Sequence, residues 1–553
     1  MLLLDRREQV TTMFSLQFAY VICICGALSA TSTHSLTRRQ SITLWTRSNT
    51  NGLLQSALTR PAAAAGINEI GGNGNRNKKS TIPDARPLFE ERLFVSPTVE
   101  SVIEDVSSRI SDPSLRQIFR NCLPSTLDTT VLWHRPRGAD YNFPYTYIIT
   151  GDIASMWLRD STYQIHPYVP LAKDDDQLRE LVLGVINTQA EMINIYPFGN
   201  AYFPLDHWNS NISLSPPDFG KDDQVFPYYN REKVFEAKYE LDSLASFLYL
   251  TKYYFEETGN SDFLDNPNWE NATRLVLSTM KLMQRGTLEN YRADPYKFTR
   301  PTRTHTETQN LYGIGNPAMR CGLIRSFFRP SDDSTILQYL VPSNAMAVVG
   351  LYGVSYVLDS TGRFPELSED LKVLANEVDT AIKKQAIVHH PEFGRVFAYE
   401  VDCYGSHVFM DDANFPSLLS LPKFGYVAKD DPIYINTRKY ILSADWNPYY
   451  TKGKYAGVGS PHTGLQQTWH MSLCMQGMTS TDEFEIHKML WTLRNTTANT
   501  GLMHESFYCN DPETFTRRFF AWANTVFGEF IIYLDREYPH LLQGHGPRYS
   551  RNG

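Results

Sequence analysis

Segments with helical periodicity alternate with polar loops from about residue 95 to residue 543, without a break in composition. In Tyr239–Tyr253, for example, Leu241, Leu244 and Leu248 recur at the spacing of one helix face. The same periodicity predicts helices at Asp175–Ile193, Phe235–Glu256, Asn271–Met283, Asn344–Leu358, Leu367–Ala386, Asp431–Ser443, Thr481–Leu493 and Thr516–Tyr533.

Strand signals are few and short, chiefly Val396–Val401 and Leu323–Phe328. About ten to twelve helices with polar chemistry confined to the loops predict a large all-α domain. We interpret it as an (α/α)6 barrel, a toroid of helical hairpins with short β-hairpins in its loops and a pocket at one end. Periodicity alone leaves an open solenoid as the alternative, although no fixed-period repeat favours one.

The N-terminal region differs from this domain. Met13–Ala30 is an apolar run preceded by Arg6 and Arg7, which predicts a secretory signal peptide or, because the run nearly reaches the length of a bilayer span, a type II membrane anchor. Residues 31–94 are rich in Ser, Asn, Gly and Ala and predict a disordered linker or stalk. The predicted organisation is therefore 1–30 signal or anchor, 31–94 linker, 95–545 catalytic domain and 546–553 tail.

Sequons at Asn211, Asn271 and Asn495 agree with passage through the secretory pathway, so we expect a secreted, Golgi or cell-wall protein. Outside the signal run, at most two disulfides are possible among Cys122, Cys321, Cys403, Cys474 and Cys509. The net charge is −8, and no basic stripe is interleaved with aromatics, so no nucleic-acid partner is expected. No stable membrane partner is expected unless the N-terminal segment is kept as an anchor.

The densest polar motif is TGDIASMWLRDS, residues 150–161, which contains Asp152, Trp157, Arg159 and Asp160. An indole face covers the C–H side of a pyranose, while carboxylates and a guanidinium bind its hydroxyls in charge-assisted hydrogen bonds. The motif therefore fits sugar binding. A structural ion pair of Arg159 with Asp152 or Asp160 explains the motif alone equally well.

Five further loops carry similar chemistry: KYELDSLASF with Asp242, RSFFRPSDD, YEVDCYGSHVFMDDANFPSLL with Asp412 and Asn414, GVGSPHTG with His462, and GLMHESFYCND with Glu505. Each has a plain structural interpretation as well; Asp242, for instance, suits the first turn of a helix, where an acid complements the dipole. A calcium site is a competing use of Asp402, Asp411, Asp412 and Asn414, but the spacing lacks the alternation of an EF-hand loop.

Signatures of several other enzyme classes are absent from the sequence. It contains no G-x-S-x-G elbow, no P-loop, no dinucleotide-binding glycine motif and no H-E-x-x-H. What remains is carboxylate chemistry among aromatic residues. The reaction typical of such a combination is glycoside hydrolysis by a pair of carboxyl groups.

Taken together and in order, TGDIASMWLRDS, KYELDSL, FRPSDD, PSNAM, MDDANFPSLL, GSPHTG and HESF…FTRRFFAWANTVFGE resemble glycoside hydrolase family 125. The resemblance spans roughly residues 95–543. It implies an (α/α)6 barrel and an exo-acting α-1,6-mannosidase that inverts anomeric configuration without a metal or other cofactor. The implied partner is a mannose-containing glycan.

The resemblance assigns Asp242 as the general acid and Glu505 as the general base. Inversion requires the two carboxyl groups about 6.5–9.5 Å apart, with a raised pKa for the acid and an ionised base. The candidates for binding the terminal mannose are Asp152, Trp157, Arg159, Asp160, Asp412, Asn414 and His462.

Two positions depart from the family pattern. Cys403 stands where a glycine is expected, and Arg325 stands where an aromatic residue is expected, so linkage preference is less constrained than mannose recognition. Two other functions remain open: an inverting glucosidase with the same toroid, and a mannan-binding protein without turnover. A substrate panel distinguishes the first, and indifference to Glu505→Gln would indicate the second.

Overall fold

The computed structural model describes residues 82–138, 142–204, 220–289 and 293–547. The predicted signal segment, most of the predicted linker, the sequon Asn211 and residues 548–553 of the tail lie outside the described residues. All described residues belong to one compact unit, Ala57–Gly553.

The α-helices of the described residues are α1 (Pro97–Arg109), α2 (Pro113–Cys122), α3 (Ser125–Thr129), α4 (Leu158–Ile165), α5 (Asp176–Ile195), α6 (Leu241–Thr258), α7 (Pro267–Met283), α8 (Asn310–Gly313), α9 (Val341–Thr361), α10 (Pro365–Gln385), α11 (Pro432–Ile441), α12 (His470–Thr479), α13 (Glu483–Arg494), α14 (Ala521–Glu537) and α15 (Pro539–Leu542). The strands are β1 (Val131–Arg135), β2 (Tyr145–Ile148), β3 (Met156–Trp157), β4 (Ala201–Tyr202), β5 (Gln224–Phe226), β6 (Val234–Glu236), β7 (Lys297–Thr299), β8 (Tyr339–Leu340), β9 (Ile387–His390), β10 (Gly394–Phe397), β11 (Glu400–Val401), β12 (His407–Val408), β13 (Gln467–Trp469), β14 (Ser506–Tyr508) and β15 (Asp511–Phe515).

The helices form an inner and an outer ring. Inner helices are buried around most of their circumference, and they contact one another in the order α9, α6, α4, α14 and α12. The largely buried turns of residues 417–424 follow α9 and α10 along the chain and precede α12. Outer helices such as α7, α10, α11 and α13 bury only one face. This arrangement confirms the predicted (α/α)6 barrel.

Helix α9 is apolar on every side because it lies in the core of the barrel. Among the described residues it is the one helix long and apolar enough to cross a membrane, yet 83% of the relevant window is buried inside the protein. A helix that is hydrophobic all round is the expected form of a core helix in a large domain.

Short antiparallel strands lead the chain into the inner helices. Strand β3 runs directly into α4, β8 into α9 and β13 into α12, while β6 ends four residues before α6. Gly151 forms an isolated bridge with Phe520, the residue before α14. The N-terminal ends of the inner helices therefore meet at one end of the barrel, where the strands join them.

The predicted elements differ most from the observed ones at three places, and several observed helices, α4 and α12 among them, were not predicted. The helix predicted from Phe235 begins at Leu241, because Val234–Glu236 pairs with β4 as strand β6. The helix predicted from Thr516 begins at Ala521. The strand prediction at Val396–Val401 is confirmed in β10 and β11, whereas that at Leu323–Phe328 is wrong: the segment is buried irregular backbone.

The compact domain begins before the predicted boundary at residue 95. The Arg86 guanidinium donates to Asp128 at 2.8 Å and to Glu100 at 2.9 Å, which attaches the last part of the predicted linker to the barrel. A disulfide joins Cys321 to Cys403 across 82 residues. Among the described residues the free cysteines are Cys122, Cys474 and Cys509, all buried.

Candidate active site

A cavity of about 250 Å³ opens at the end of the barrel where the inner helices begin. Drug-sized ligands occupy pockets of about 300–1,000 Å³, so this one suits a smaller ligand such as a sugar ring. Its lining includes Trp157, Trp469 and Trp522, together with acidic and basic side chains from several loops.

Three buried donors of the pocket lining have no hydrogen-bond partner among the described residues. They are the indole Nε1 atoms of Trp157 and Trp522 and the Nε atom of Arg159. An unpaired buried donor costs about 1–3 kcal/mol. The lining therefore favours an oxygen-rich ligand that supplies acceptors.

Arg159, in the first turn of α4, is the centre of the charge network. Its side chain is only 3% exposed and its Nη1 atom lies 2.6 Å from Glu240 Oε2 and 3.1 Å from Asp242 Oδ2. Its Nη2 atom lies 3.3 Å from Asp160 Oδ2 and 3.6 Å from Asp332 Oδ1. Four carboxyl groups from three separate segments thus share one guanidinium.

Asp242 does not face the pocket. It is fully buried in the first turn of α6, where its carboxyl accepts from Arg159 and from the Ser343 hydroxyl at 3.3 Å. Burial raises the pKa of Asp242, in the direction expected of a general acid. Its side chain is nevertheless absent from the pocket lining, and this placement argues against the acid role that the resemblance assigns to it.

Asp332, from the FRPSDD motif, lines the pocket instead, with its side chain 25% exposed. Its backbone is left-handed, with φ of 67°, and Lys238 Nζ donates to its carbonyl at 2.9 Å. The Asn200 amide donates to its Oδ1 atom at 3.2 Å. Since a non-glycine residue in this region is strained, the surrounding contacts hold Asp332 in a position that its own backbone does not favour.

Glu505 also lines the pocket and is 5% exposed. The Thr516 hydroxyl donates to its Oε2 atom at 2.9 Å, and Arg517 Nη1 lies 3.6 Å from its Oε1 atom. Glu505 precedes β14, whose pairing with β13 and β15 determines where the carboxyl enters the pocket.

The two acids of the TGDIASMWLRDS motif have different surroundings. Asp160 lines the pocket, and burial raises its pKa to about 6. Asp152 does not line it; its carboxyl instead accepts from Arg517 Nε at 2.9 Å. Arg517 itself lines the pocket, so Asp152 contributes to the site indirectly, by holding the Arg517 guanidinium in place. Trp157 and Arg159 line the pocket as predicted candidates.

Asp412 and Asn414 form a local unit in the MDDANFPSLL loop. Asp412 Oδ1 accepts from the backbone N and the Nδ2 atom of Asn414, both at 3.2 Å. Asn414 lines the pocket, whereas Asp412 is buried behind it and its pKa is raised by burial. The structure thus brings Asn414 to the pocket, and Asp412 holds it there from behind.

His462 lines the pocket from the GSPHTG loop. Its Nδ1 atom lies 3.4 Å from Asp333 Oδ2. Burial acts to lower the pKa of His462, but the charge of Asp333 outweighs it and raises that pKa to about 9. An imidazolium at this place suits donation to sugar oxygens.

The competing calcium interpretation is not supported by the loop geometry. The Asp411 carboxylate accepts from the backbone N–H groups of Leu418 and Leu419 at 2.8 and 2.9 Å, and Asp402 Oδ1 accepts from Tyr404 and Ser406. Across the described ranges, no group of three or more His, Cys, Asp or Glu side chains is arranged to hold a metal ion.

Several residues of the pocket lining are not among the predicted site residues, and three of them, Asp332, Trp522 and Arg517, bear on its chemistry. The FRPSDD motif does not by itself distinguish Asp332 from Asp333, and both are residues that tolerate a positive φ. Trp522 has the sequence spacing of a core residue, but it also lines the pocket. The centre of its ring lies 5.6 Å from the Arg159 guanidinium carbon. Arg517 meets Asp152 across 365 residues.

Comparison with known proteins identifies the family of this chain. A sequence model of the family described as metal-independent alpha-mannosidase, GH125, matches residues 112–532. The chain is 45% identical over 481 residues to the meiotically up-regulated gene 157 protein of Schizosaccharomyces pombe (strain 972), covering 85% of this chain and 93% of that protein.

A solved structure from Streptococcus pneumoniae, a metal-independent alpha mannosidase in a non-productive complex with alpha-1,6-mannobiose, is similar with a TM-score of 0.73 and 33% identity. The similarity covers 80% of this chain and 100% of that one. The chain therefore belongs to glycoside hydrolase family 125, the metal-independent α-mannosidases.

Proposed function

We propose that this enzyme is an exo-acting α-1,6-mannosidase that removes terminal mannose from glycans with inversion of configuration. The observation that carries the proposal is one small pocket whose lining includes the carboxyl groups of Asp332 and Glu505, which come from separate loops. The α-1,6 linkage is supported by the mannobiose bound to the bacterial relative.

In this mechanism Asp332 is the general acid. It gives a proton to the glycosidic oxygen while the bond from that oxygen to C1 breaks. Glu505 is the general base, which takes a proton from the water molecule that attacks C1 from the other face. The products are β-mannose and the shortened glycan.

The sugar-binding roles follow from the lining. The faces of Trp157, Trp469 and Trp522 suit the C–H side of the pyranose. Asp160, Asn414 and His462 supply hydrogen-bonding groups of both kinds to the hydroxyls.

The test is hydrolysis of α-1,6-mannobiose by the full-length protein, with proton NMR of the first mannose released. We expect the β-anomer, and we expect Glu505→Gln to abolish its release. α-1,2- and α-1,3-mannobiose and α-glucosides form the comparison panel. Preferred turnover of a glucoside would indicate the glucosidase, and binding without turnover would indicate the mannan-binding protein.

We also propose that the enzyme passes through the secretory pathway, where it is secreted or remains associated with the Golgi or cell wall. The apolar run Met13–Ala30 and the Cys321–Cys403 disulfide support this, because disulfides persist in oxidising compartments. Glycosylation at Asn271 or Asn495, detected as a mass shift after endoglycosidase treatment, would test it. A fully reduced, unglycosylated protein isolated from the cytosol would contradict it.

A further inference from the structure

The carboxyl groups of Glu240 and Asp332 meet the same guanidinium at the edge of the pocket, where Arg159 Nη1 lies 2.6 Å from Glu240 Oε2 and Arg159 Nη2 lies 3.6 Å from Asp332 Oδ1. Both are also bound by the same amide: Asn200 Nδ2 lies 3.3 Å from Glu240 Oε1 and 3.2 Å from Asp332 Oδ1. Two carboxyl groups can bond to each other only when one of them carries a proton. The shared amide and guanidinium therefore place the two carboxyl groups where they can share one proton.

The two partners differ in what surrounds them. Glu240 is 1% exposed and does not line the pocket, whereas Asp332 does. Arg159 Nη1 lies 2.6 Å from Glu240 Oε2, and the Ser243 hydroxyl donates to the same oxygen at 3.0 Å. The further charged groups around the pair are Asp160, Glu236, Lys238, Asp242, Asp333 and His462.

These surroundings decide where the proton resides in the unliganded enzyme. Burial raises the pKa of Glu240 well above its ordinary value, with the neighbouring carboxylates acting in the same direction. Burial acts to raise the pKa of Asp332 too, but the charges of Arg159 and Lys238 hold it well below the ordinary value. An isolated Asp332 would thus be ionised and unable to act as an acid.

We propose that Glu240 is a positioning residue that retains the catalytic proton on the Glu240–Asp332 pair and supplies it to Asp332 during the reaction. The inference rests on the proposed function and deepens it, because the pair has meaning only if Asp332 protonates a leaving group. Glu240 itself does not touch the substrate.

The proton balance is simple. The proton moves along the hydrogen bond from Glu240 to Asp332, and the Glu240 carboxylate left behind is stabilised by Arg159. Asp332 then releases the proton to the glycosidic oxygen as the C1–O bond breaks. Glu505 gains one proton from the attacking water and returns it to solvent, while the pair takes up one proton from solvent before the next turnover.

The experiment compares two substrates of the full-length enzyme: α-1,6-mannobiose, whose leaving group needs a proton, and 2,4-dinitrophenyl α-mannoside, whose leaving group does not. For Glu240→Gln we expect a fall of about 100-fold in kcat on mannobiose, the scale of general acid catalysis. On the aryl mannoside the fall should be less than about tenfold. The alkaline limb of the mannobiose pH profile should move to lower pH.

Asp242→Asn is the matched control, because Asp242 contacts the same Arg159 nitrogen and is equally buried, but it forms no pair with Asp332. This variant should leave the alkaline limb in place and change both substrates by the same factor. Asp332→Asn should reproduce the selectivity of Glu240→Gln. Equal losses on both substrates in Glu240→Gln, with an unmoved pH profile, would overturn the proposal.

If Glu240→Gln does not fold, Glu240→Asp answers the same question, since it keeps an ionisable group but withdraws it from Asp332 by one methylene. A selective loss on mannobiose supports the pair, and an equal loss on both substrates contradicts it. Failure of the proposed function is distinguishable, because the wild-type enzyme would then hydrolyse neither mannoside.

Discussion

Arg159 shows how much of this site depends on a single residue. Its guanidinium forms ion pairs with Asp160, Glu240, Asp242 and Asp332. A planar guanidinium presents five N–H donors, whereas a lysine offers one compact charge. Four acids gathered without it would be neutralised by protonation. The negative charge of the pocket wall therefore depends on Arg159.

Replacement of Arg159 by methionine should lower the free energy of unfolding by about 3–5 kcal/mol, the range for breaking a buried ion pair. The acids it leaves behind gain protons in the folded state, so the loss should grow as pH rises. Urea unfolding at pH 5 and pH 8 measures this. Arg137, whose side chain is 40% exposed and also contacts two acids, is the control: Arg137→Met should cost about 1 kcal/mol or less.

The His462–Asp333 pair should add a pH-dependent term to stability. Because the folded state raises the pKa of His462 to about 9, its contribution is present below the unfolded value near 6.5 and is lost as pH rises through 9. His462→Gln should therefore destabilise the protein more at pH 6 than at pH 10. The same difference measured in an Asp333→Asn background should shrink, leaving only the contributions of Glu505 and Asp332; an undiminished difference would show that Asp333 is not the main cause.

At the scale of elements, the two rings of helices begin in different ways. Most outer helices have side-chain caps: α1, α2, α5, α7, α11 and α13 are capped by Ser96, Asp112, Asp175, Asn266, Asp431 and Asp482, whereas the outer helix α10 has no side-chain cap. The inner helices α4, α6, α9, α12 and α14 have no side-chain cap among the described residues. Short strands and bridges precede them instead, which leaves their N-terminal turns available to shape the pocket.

The cap of α11 offers a direct test of this division. Asp431 accepts from the backbone N–H groups of Ile433 and Tyr434, both at 2.9 Å. Asp431→Ala should cost about 1 kcal/mol by thermal or urea unfolding. Asp431→Asn keeps an acceptor and should cost only a few tenths. Equal effects of the two variants would show that the charge, rather than the cap, matters.

At the scale of the whole molecule, the barrel is closed by contacts between distant parts of the chain. Helix α14 packs against α4, and Arg517 reaches Asp152 across 365 residues. The Cys321–Cys403 disulfide adds a covalent closure over 82 residues, and Met319 N donates to the Asp402 carbonyl beside it. Cys403 has φ of 61°, the left-handed region that glycine favours, so the glycine expected at this position would adopt the same backbone without a steric penalty.

Two double variants separate the covalent link from the backbone conformation. Cys321→Ala with Cys403→Ala should lower the free energy of unfolding by about 4 kcal/mol, the loop-closure value for a loop of this length. Cys321→Ala with Cys403→Gly should lower the free energy of unfolding by about 1 kcal/mol less than the double alanine variant does, because glycine adopts a positive φ without a steric penalty. Urea unfolding decides this, and a glycine variant no more stable than the alanine one would contradict it.

Local patterns in the sequence determined which segments are helical and which loops carry chemistry. Capped, amphipathic helices such as α5 and α13 were predictable because their signals lie within a few turns of chain. The uncapped inner helices α4 and α12 were not predicted, since they are only 8 and 10 residues long and bury polar as well as apolar side chains. The family motifs were readable for the same reason: each is a short contiguous string.

Only the tertiary structure decided which acid of each motif faces the ligand. Asp242 and Asp332 both stand in motifs that the sequence displays, but burial behind Arg159 removes the first from the pocket and a left-handed turn brings the second into it. Asp152 likewise became a partner of Arg517. Such roles depend on the direction of side chains brought together across tens to hundreds of residues, and no local pattern encodes that direction.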